Sequence, residues 1–384
     1  MTSDPLMNTY KRQAIDFVRG TGATLFDADG KEYIDLLAGI AVCSVGHANP
    51  AVAQAVADQA RELVHVSNIF GTLPMRRLAE KLRSTTGGWG RVFFCNSGAE
   101  ANECAIKLAR KAGSGKRYKV LASLGGFHGR TLATLAATGQ PEKWKGFEPL
   151  PVGFSHLPFN DLRAFEEALD GETAAILVEP IQGERGVIPA TLPFLKGLRA
   201  LADRFGIPLI FDEVQTGIGR TGSWWAFQHL GVKPDIFTSA KALANGLPIG
   251  ACIADEPYGS VFTPGDHGST FGGGPVVCAA ALAVLDYIEH EGLLAKTVER
   301  GRYLEEKLRQ LSGVELVRGV GLMRAAELTK PVAFEVVSKL LQEGVVLNAT
   351  SDSVLRFVPP LVISESQIDQ AIGKLGAVLN KCST

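Results

Sequence analysis

The sequence predicts an α/β protein in two parts: a large domain on a mostly parallel sheet, and a smaller α+β domain built from the N- and C-terminal segments. Three observations predict it. Short apolar runs alternate with longer helical patterns, and those runs stop at polar residues and glycine. Beyond about residue 287 charged helical stretches alternate with short strands. Near-continuous apolar strands need helices on both faces, because neither face can be left to water. At 384 residues the chain is too long for one simple core, which also points to a large domain with a smaller companion.

Taken in order, "ATLFDADGKEYIDLLAG" (residues 23–39) reads as a hairpin with Asp29-Gly30 at its turn, packing with the C-terminal part. "RVFFCNSG" is a strand ending at a glycine, and after it Ala101, Cys104, Ala105, Leu108 and Ala109 recur at helical spacing. "KVLASLGGFHG", "AAILVEPIQG", "IPLIFDEVQTG" and "DIFTSAKA" repeat the strand-then-polar theme, with helical "DLRAFEEAL" and "PFLKGLRALADRFG" between some of them. Residues 267–285, "HGSTFGGGPVVCAAALAVL", approach membrane-spanning length but begin with glycines and a proline. They read as a loop and then a buried helix with Pro275 in its first turn. The expected division is residues 1–45 packing with the small domain, 46–286 as the large domain and 287–384 as the C-terminal small domain.

The 39 basic and 40 acidic residues give a net charge of −1, which argues against a nucleic-acid or membrane partner. The opening "MTSDPLMNTYKR" has no apolar run behind a basic start, so a cytosolic chain without a secretory leader is expected. Six cysteines with no C-x-x-C pair suit reduced, packed thiols rather than disulfides or zinc. "GIGRTG" (217–222) matches a dinucleotide-binding pattern, yet "DEVQT" separates it from the strand and no long apolar helix follows, so its glycines are expected to form a mobile loop. "AGSGKRY" lacks the earlier glycine and following Ser/Thr of a phosphate-binding P-loop and reads as a helix end with a solvated basic tail. Neither H-E-x-x-H nor G-x-S-x-G occurs, which removes the zinc and serine hydrolase classes.

In sheets of this kind ligands bind beyond the carboxyl ends of the strands. The candidates are therefore residues 96–99, 127–130, 179–184, 212–215 and Lys241. Taken alone, Asp212 could cap a helix and Lys241 could snorkel to the surface. Together they match what pyridoxal phosphate needs, a lysine amine to form a Schiff base with the aldehyde and a carboxylate to keep the pyridine nitrogen protonated. Ser97, Gly98 and Ala99, at a strand end opening a helix, would turn free backbone N–H groups toward a phosphate.

"NSGAEANE", "FHGRT", "VEPIQGE", "DEVQTGIGRTG", "AKALANGLPIGA" and "GSTFGGGP", in this order, resemble the class III pyridoxal-phosphate aminotransferases of the fold type I superfamily. The resemblance covers nearly the whole chain, and "GHANPAVAQAV" with the compact length is most similar to the acetylornithine aminotransferases. It implies transamination between N2-acetylornithine and 2-oxoglutarate in arginine biosynthesis. The alternatives are another ω-aminotransferase (for succinylornithine, ornithine, a modified lysine or 4-aminobutyrate) and a fold-related mutase or decarboxylase.

Residue by residue, the resemblance implies that Lys241 is the Schiff-base lysine and proton carrier. Asp212 pairs with the pyridine N–H, Gln215 reaches the ring hydroxyl, Phe127 stacks on the ring, and Gly98 and Ala99 hold the phosphate. Across the interface of a homodimer with shared sites, Thr270 reaches the phosphate and Ser269 lies near substrate. Arg130 grips a carboxylate of acetylornithine, Arg356 takes the α-carboxylate of glutamate or 2-oxoglutarate, and Glu184 pairs with Arg356 when that arginine must be screened. Arg185, Gly274 and Arg324 depart from the family's usual residues, and Arg185 is positioned to compete for Glu184.

Overall fold

The computed structural model describes residues 5–383; residues 1–4 and Thr384, the outermost ends of the two terminal segments, lie outside the described residues. The large sheet has seven strands in the order Arg91–Cys95, Gly250–Ala254, Ile236–Ser239, Leu209–Asp212, Thr173–Val178, Lys119–Ser123 and Phe154–Leu157. From Ile236–Ser239 to Phe154–Leu157 every pairing is parallel. Every residue of Thr173–Val178, Leu209–Asp212 and Ile236–Ser239 is buried, as expected for strands covered on both faces.

Gly250–Ala254, which the sequence pattern does not single out, is a strand antiparallel to both of its neighbours. Two antiparallel steps restore the original direction, so Arg91–Cys95 runs the same way as the parallel strands. The carboxyl ends of six strands consequently open on one edge of the sheet, and that edge carries the segments after Cys95, Ser123, Val178, Asp212 and Ser239.

The helix Gly98–Ala112 packs on this sheet and begins at Ser97, whose side chain accepts from the Glu100 N–H at 3.2 Å. It ends where the "AGSGKRY" stretch begins, and Ser114, Gly115 and Lys116 beyond it are exposed. Pro275 opens the helix Pro275–His290, where its missing N–H costs nothing. All six cysteines are free thiols. No described helix is long and apolar enough to cross a membrane.

The N-terminal hairpin pairs Thr24–Asp27 with Glu32–Asp35, and Gly30 supplies the positive φ (80°) that its turn requires. Glu32–Asp35 then pairs in parallel with Val345–Val346, which joins the start of the chain to its end. A second four-stranded, antiparallel sheet runs Val314–Val320, Met323–Leu328, Val354–Phe357 and Asn348–Ser351.

The expectation of a mobile "GIGRTG" loop is corrected. Residues 216–221 are buried, because Arg220 donates from Nη1 to the carbonyls of Leu322 (3.0 Å) and Pro359 (2.5 Å) and from Nη2 to Ser44 Oγ (3.1 Å). The glycines allow this close approach; Gly219 and Gly222 have φ of 84° and 93°.

Candidate active site

At the shared carboxyl edge of the sheet lies a cavity of about 380 Å³, whose lining includes Gly98, Ala99, Phe127, Arg130, Asp212, Gln215 and Lys241. Lys241 follows the strand Ile236–Ser239 by two residues, in a 3-10 turn, with φ at 48°. A non-glycine residue in the left-handed region costs about 1–2 kcal/mol, a cost that packing around it must offset. Among the described residues Lys241 makes no hydrogen bond or ion pair. Desolvation pushes its pKa below the ordinary lysine value, against the attraction of Glu184 and with the help of nearby Arg356. A lysine held in this way gives up its proton more readily than one in water.

Asp212 ends the neighbouring strand and is fixed from several sides. Its Oδ2 accepts from Asn102 Nδ2 at 2.8 Å and lies 2.8 Å from His128 Nδ1, while its Oδ1 accepts from the Val214 N–H at 3.1 Å. Thr238 Oγ1 donates to Asn102 Oδ1 at 2.8 Å, so the amide that holds Asp212 is itself held. Burial opposes a charge on His128, but its bond to Asp212 and the negative charges of Asp212 and Glu179 outweigh that and raise its pKa. The result is a carboxylate aimed by a buried polar network. Glu179 accepts from the N–H groups of Phe127 (3.0 Å) and Gly183 (3.3 Å), and burial pushes its carboxyl up to about 7.

Asn102, His128, Glu179 and Thr238 had no assigned role in the sequence reading. His128 and Glu179 lie inside the strand-end stretches, and Asn102 carries a legible signal: it is polar, four residues beyond Gly98, on a helix face that it shares with Gly98, Ala99, Ala105 and Ile106. Thr238 carried none, since a threonine inside a buried strand reads as packing.

The donor set suits a phosphorylated aromatic aldehyde such as pyridoxal phosphate. Gly98 and Ala99 are first-turn residues whose N–H groups have no acceptor within the helix. A Cβ at Gly98 would come within 2.9 Å of Val214, so only glycine leaves the approach to these amides open. Gln215 is buried with its Oε1 unpartnered, and Phe127 presents a ring on the cavity wall with the Arg130 guanidinium 5.7 Å from its centroid.

Four remaining candidates lie outside the cavity lining. Arg356 is 1% exposed and donates from Nη1 to Glu184 Oε1 (2.8 Å) and Gly183 O (3.1 Å) and from Nε to Asn348 Oδ1 (3.2 Å). The opposing charge of Arg356 outweighs burial and lowers the pKa of Glu184. Arg185 leaves that pair alone: it is exposed, lies over Gly125 and makes no ion pair among the described residues. Arg324 is bound to Gly319 and Gly321 carbonyls and to Glu305 (2.6 Å), inside its own sheet region. Ser269 accepts from Asn96 Nδ2 at 3.2 Å, one residue behind the cavity wall. Thr270 is exposed, beside Phe70 and Phe271, which are 66% and 67% exposed.

A family model described as aminotransferase class-III matches residues 7–379. An acetylornithine aminotransferase of Corynebacterium efficiens is 49% identical, with 99% of this chain and 96% of that protein covered. An ornithine aminotransferase structure from Toxoplasma gondii, described with partial occupancy of PLP at its active site, superposes with a TM-score of 0.94 at 33% identity, covering 99% and 92% of the two chains. The N-acetylornithine aminotransferase structure from Stenotrophomonas maltophilia gives a TM-score of 0.85 at 35% identity, covering 97% and 98%.

Proposed function

Since the chain belongs to the class-III aminotransferase family, we propose that it moves the terminal amino group of N2-acetyl-L-ornithine to 2-oxoglutarate, yielding N-acetyl-L-glutamate 5-semialdehyde and L-glutamate. The cofactor is pyridoxal 5'-phosphate and the step belongs to arginine biosynthesis. The observation that carries this reading is an unpartnered lysine on the same cavity as an immobilised Asp212, with the Arg356–Glu184 pair near enough to act on the lysine's charge. The substrate follows the 49% identity to an acetylornithine aminotransferase over nearly the full chain.

When bound, pyridoxal phosphate supplies an aldehyde that captures amines and a protonated ring that withdraws electrons from the adjacent carbon. Gly98 and Ala99 would hold its phosphate, Phe127 would cover its ring, Gln215 would meet the ring hydroxyl and Asp212 would take the pyridine N–H. Asp212 keeps its geometry through Asn102 and His128, so it can hold that proton in place. Lys241 would hold the aldehyde when no substrate is bound and, as a desolvated amine, would take and give back the proton of the substrate carbon that bears the amino group. The apolar walls around Leu247, Pro248 and Ile249 exclude water from this transfer.

Arg130 grips a carboxylate of acetylornithine, while Glu184 screens Arg356. When glutamate or 2-oxoglutarate enters, Glu184 withdraws and Arg356 takes the α-carboxylate, so one pocket serves donors that react at different ends. In this reading residues 46–286 carry the cofactor, and residues 1–45 and 287–384 form the small domain that brings Arg356 to it. The protein works in the cytoplasm as a homodimer, with Thr270 and Ser269 of the partner subunit completing each site. The exposed Ile69, Phe70 and Phe271 beside Thr270 support such an interface.

Single amino donors offered to the cofactor-loaded enzyme test the proposal. Acetylornithine is expected to convert the cofactor to its amine form, seen in the visible spectrum, far faster than 4-aminobutyrate or ornithine. Faster conversion by either of those overturns the substrate assignment.

A further inference from the structure

Arg356 has three acceptors, and they differ in kind. Glu184 is charged and its side chain is 30% exposed, whereas Gly183 O and Asn348 Oδ1 are neutral. Asn348 faces Arg356 directly in the antiparallel register of Asn348–Ser351 and Val354–Phe357. Directly opposed residues have Cβ atoms about 4.5–5.5 Å apart, so a short amide spans to Nε with little freedom to lose.

We infer that Asn348 is the positioning residue that keeps the Arg356 guanidinium in place when Glu184 withdraws, and thereby determines specificity for substrates that bring their own carboxylate to Arg356. The inference rests on the gate proposed above. Nη1 is shared between Glu184 and Gly183, and Nη2 makes no hydrogen bond among the described residues. Once Glu184 leaves, the bond from Nε to Asn348 stops the guanidinium from turning after it and keeps Nη2 free for an incoming carboxylate. A neutral amide suits this task. It fixes the plane of the guanidinium without cancelling its charge, which an aspartate in the same position would do. Asn348 also lines a separate cleft of about 700 Å³ and is not among the residues that line the catalytic cavity, so it touches neither the cofactor site nor Arg130.

The test uses cofactor-loaded enzyme, with the glutamate and acetylornithine half-reactions followed separately. Asn348→Ala is expected to lower kcat/KM for glutamate on the order of tenfold to a hundredfold, mainly through KM, because a hydrogen bond to a charged group is lost. Acetylornithine is expected to change by less than about threefold, as for a substitution remote from its contacts. In an Arg356→Lys background, which has no Nε, the same change should cost nothing more. Equal losses for both donors, or a loss that adds to that of Arg356→Lys, overturn the inference.

Should Asn348→Ala fail to fold, Asn348→Asp decides. It keeps the acceptor but adds a permanent negative charge, so the KM for glutamate must rise while that for acetylornithine holds; an unchanged glutamate KM overturns the role. The gate itself is checked by Arg356→Ala. Equal effects of that variant on both donors sink the gate, whereas a glutamate-selective effect beside unselective Asn348 variants sinks only the positioning role.

Discussion

Arg220 and Lys241 are both cations enclosed by protein on loops that follow neighbouring strands, and their surroundings differ. Arg220 reaches two carbonyls and a hydroxyl contributed by three distant parts of the chain; burial still brings its pKa down to about 9. Lys241 reaches no acceptor, and its backbone sits at a φ of 48° that lysine disfavours. The guanidinium fork is suited to collecting carbonyls, so Arg220 fastens the "GIGRTG" loop to residues 44, 322 and 359. The lone ammonium beside a cavity gains nothing comparable from the fold. In the proposed function a desolvated and unpartnered lysine is retained because its chemistry is used.

The comparison breaks first at Lys241. Lys241→Ala should reduce transamination on the order of a thousandfold or more, as expected when the proton carrier is removed. It should also change the visible spectrum of the bound cofactor, while urea unfolding shows no loss of stability. An unchanged spectrum would remove Lys241 from the reaction.

Arg220→Met should show the opposite profile. Leaving buried carbonyls unpaired is expected to cost about 3 kcal/mol in urea unfolding, while the fraction that remains folded binds cofactor with an unaltered spectrum. Unchanged stability would contradict its role as a brace.

The smallest effect is expected at Glu213, which accepts from the N–H groups of Ala226 (3.0 Å) and Phe227 (2.9 Å) and from the Thr216 hydroxyl. Burial, as the largest cause, raises its carboxyl from an ordinary 4.5 to about 7. Between those values the folded protein holds a proton that the unfolded chain has released, so the contribution of Glu213 to stability is fully present below about 4.5 and is lost as pH rises to about 7. Glu213→Gln should flatten part of that decline, with the rest belonging to Glu179, which is pushed up over the same range. A decline as steep as before would show that Glu213 does not titrate there.

Much of the cavity edge was readable before any coordinates. Asp212, Lys241 and Gly98 each stand where an apolar run stops, and the buried strands of a parallel sheet all stop on the same side. The strand Gly250–Ala254 escaped because "GACIA" lacks both alternation and β-branched enrichment. The buried "GIGRTG" loop escaped for a different reason. Glycines at positive φ look alike in the sequence whether the loop is free or fastened, and the acceptors of Arg220 lie more than a hundred residues away.

The sequence by itself determined the α/β class and the residue types at the strand ends, because local periodicity and glycine placement are written in neighbouring positions, and its motifs carried the family resemblance that implied the cofactor. Tertiary structure alone decided that Asp212 is held through Asn102 and His128, that Glu184 is paired with Arg356 while Arg185 points away, and that Asn348 stands opposite Arg356. Those contacts join residues from 8 to 172 positions apart, and their geometry depends on strand register and helix placement. Periodicity names the face on which a side chain lies, and only packing chooses its partner.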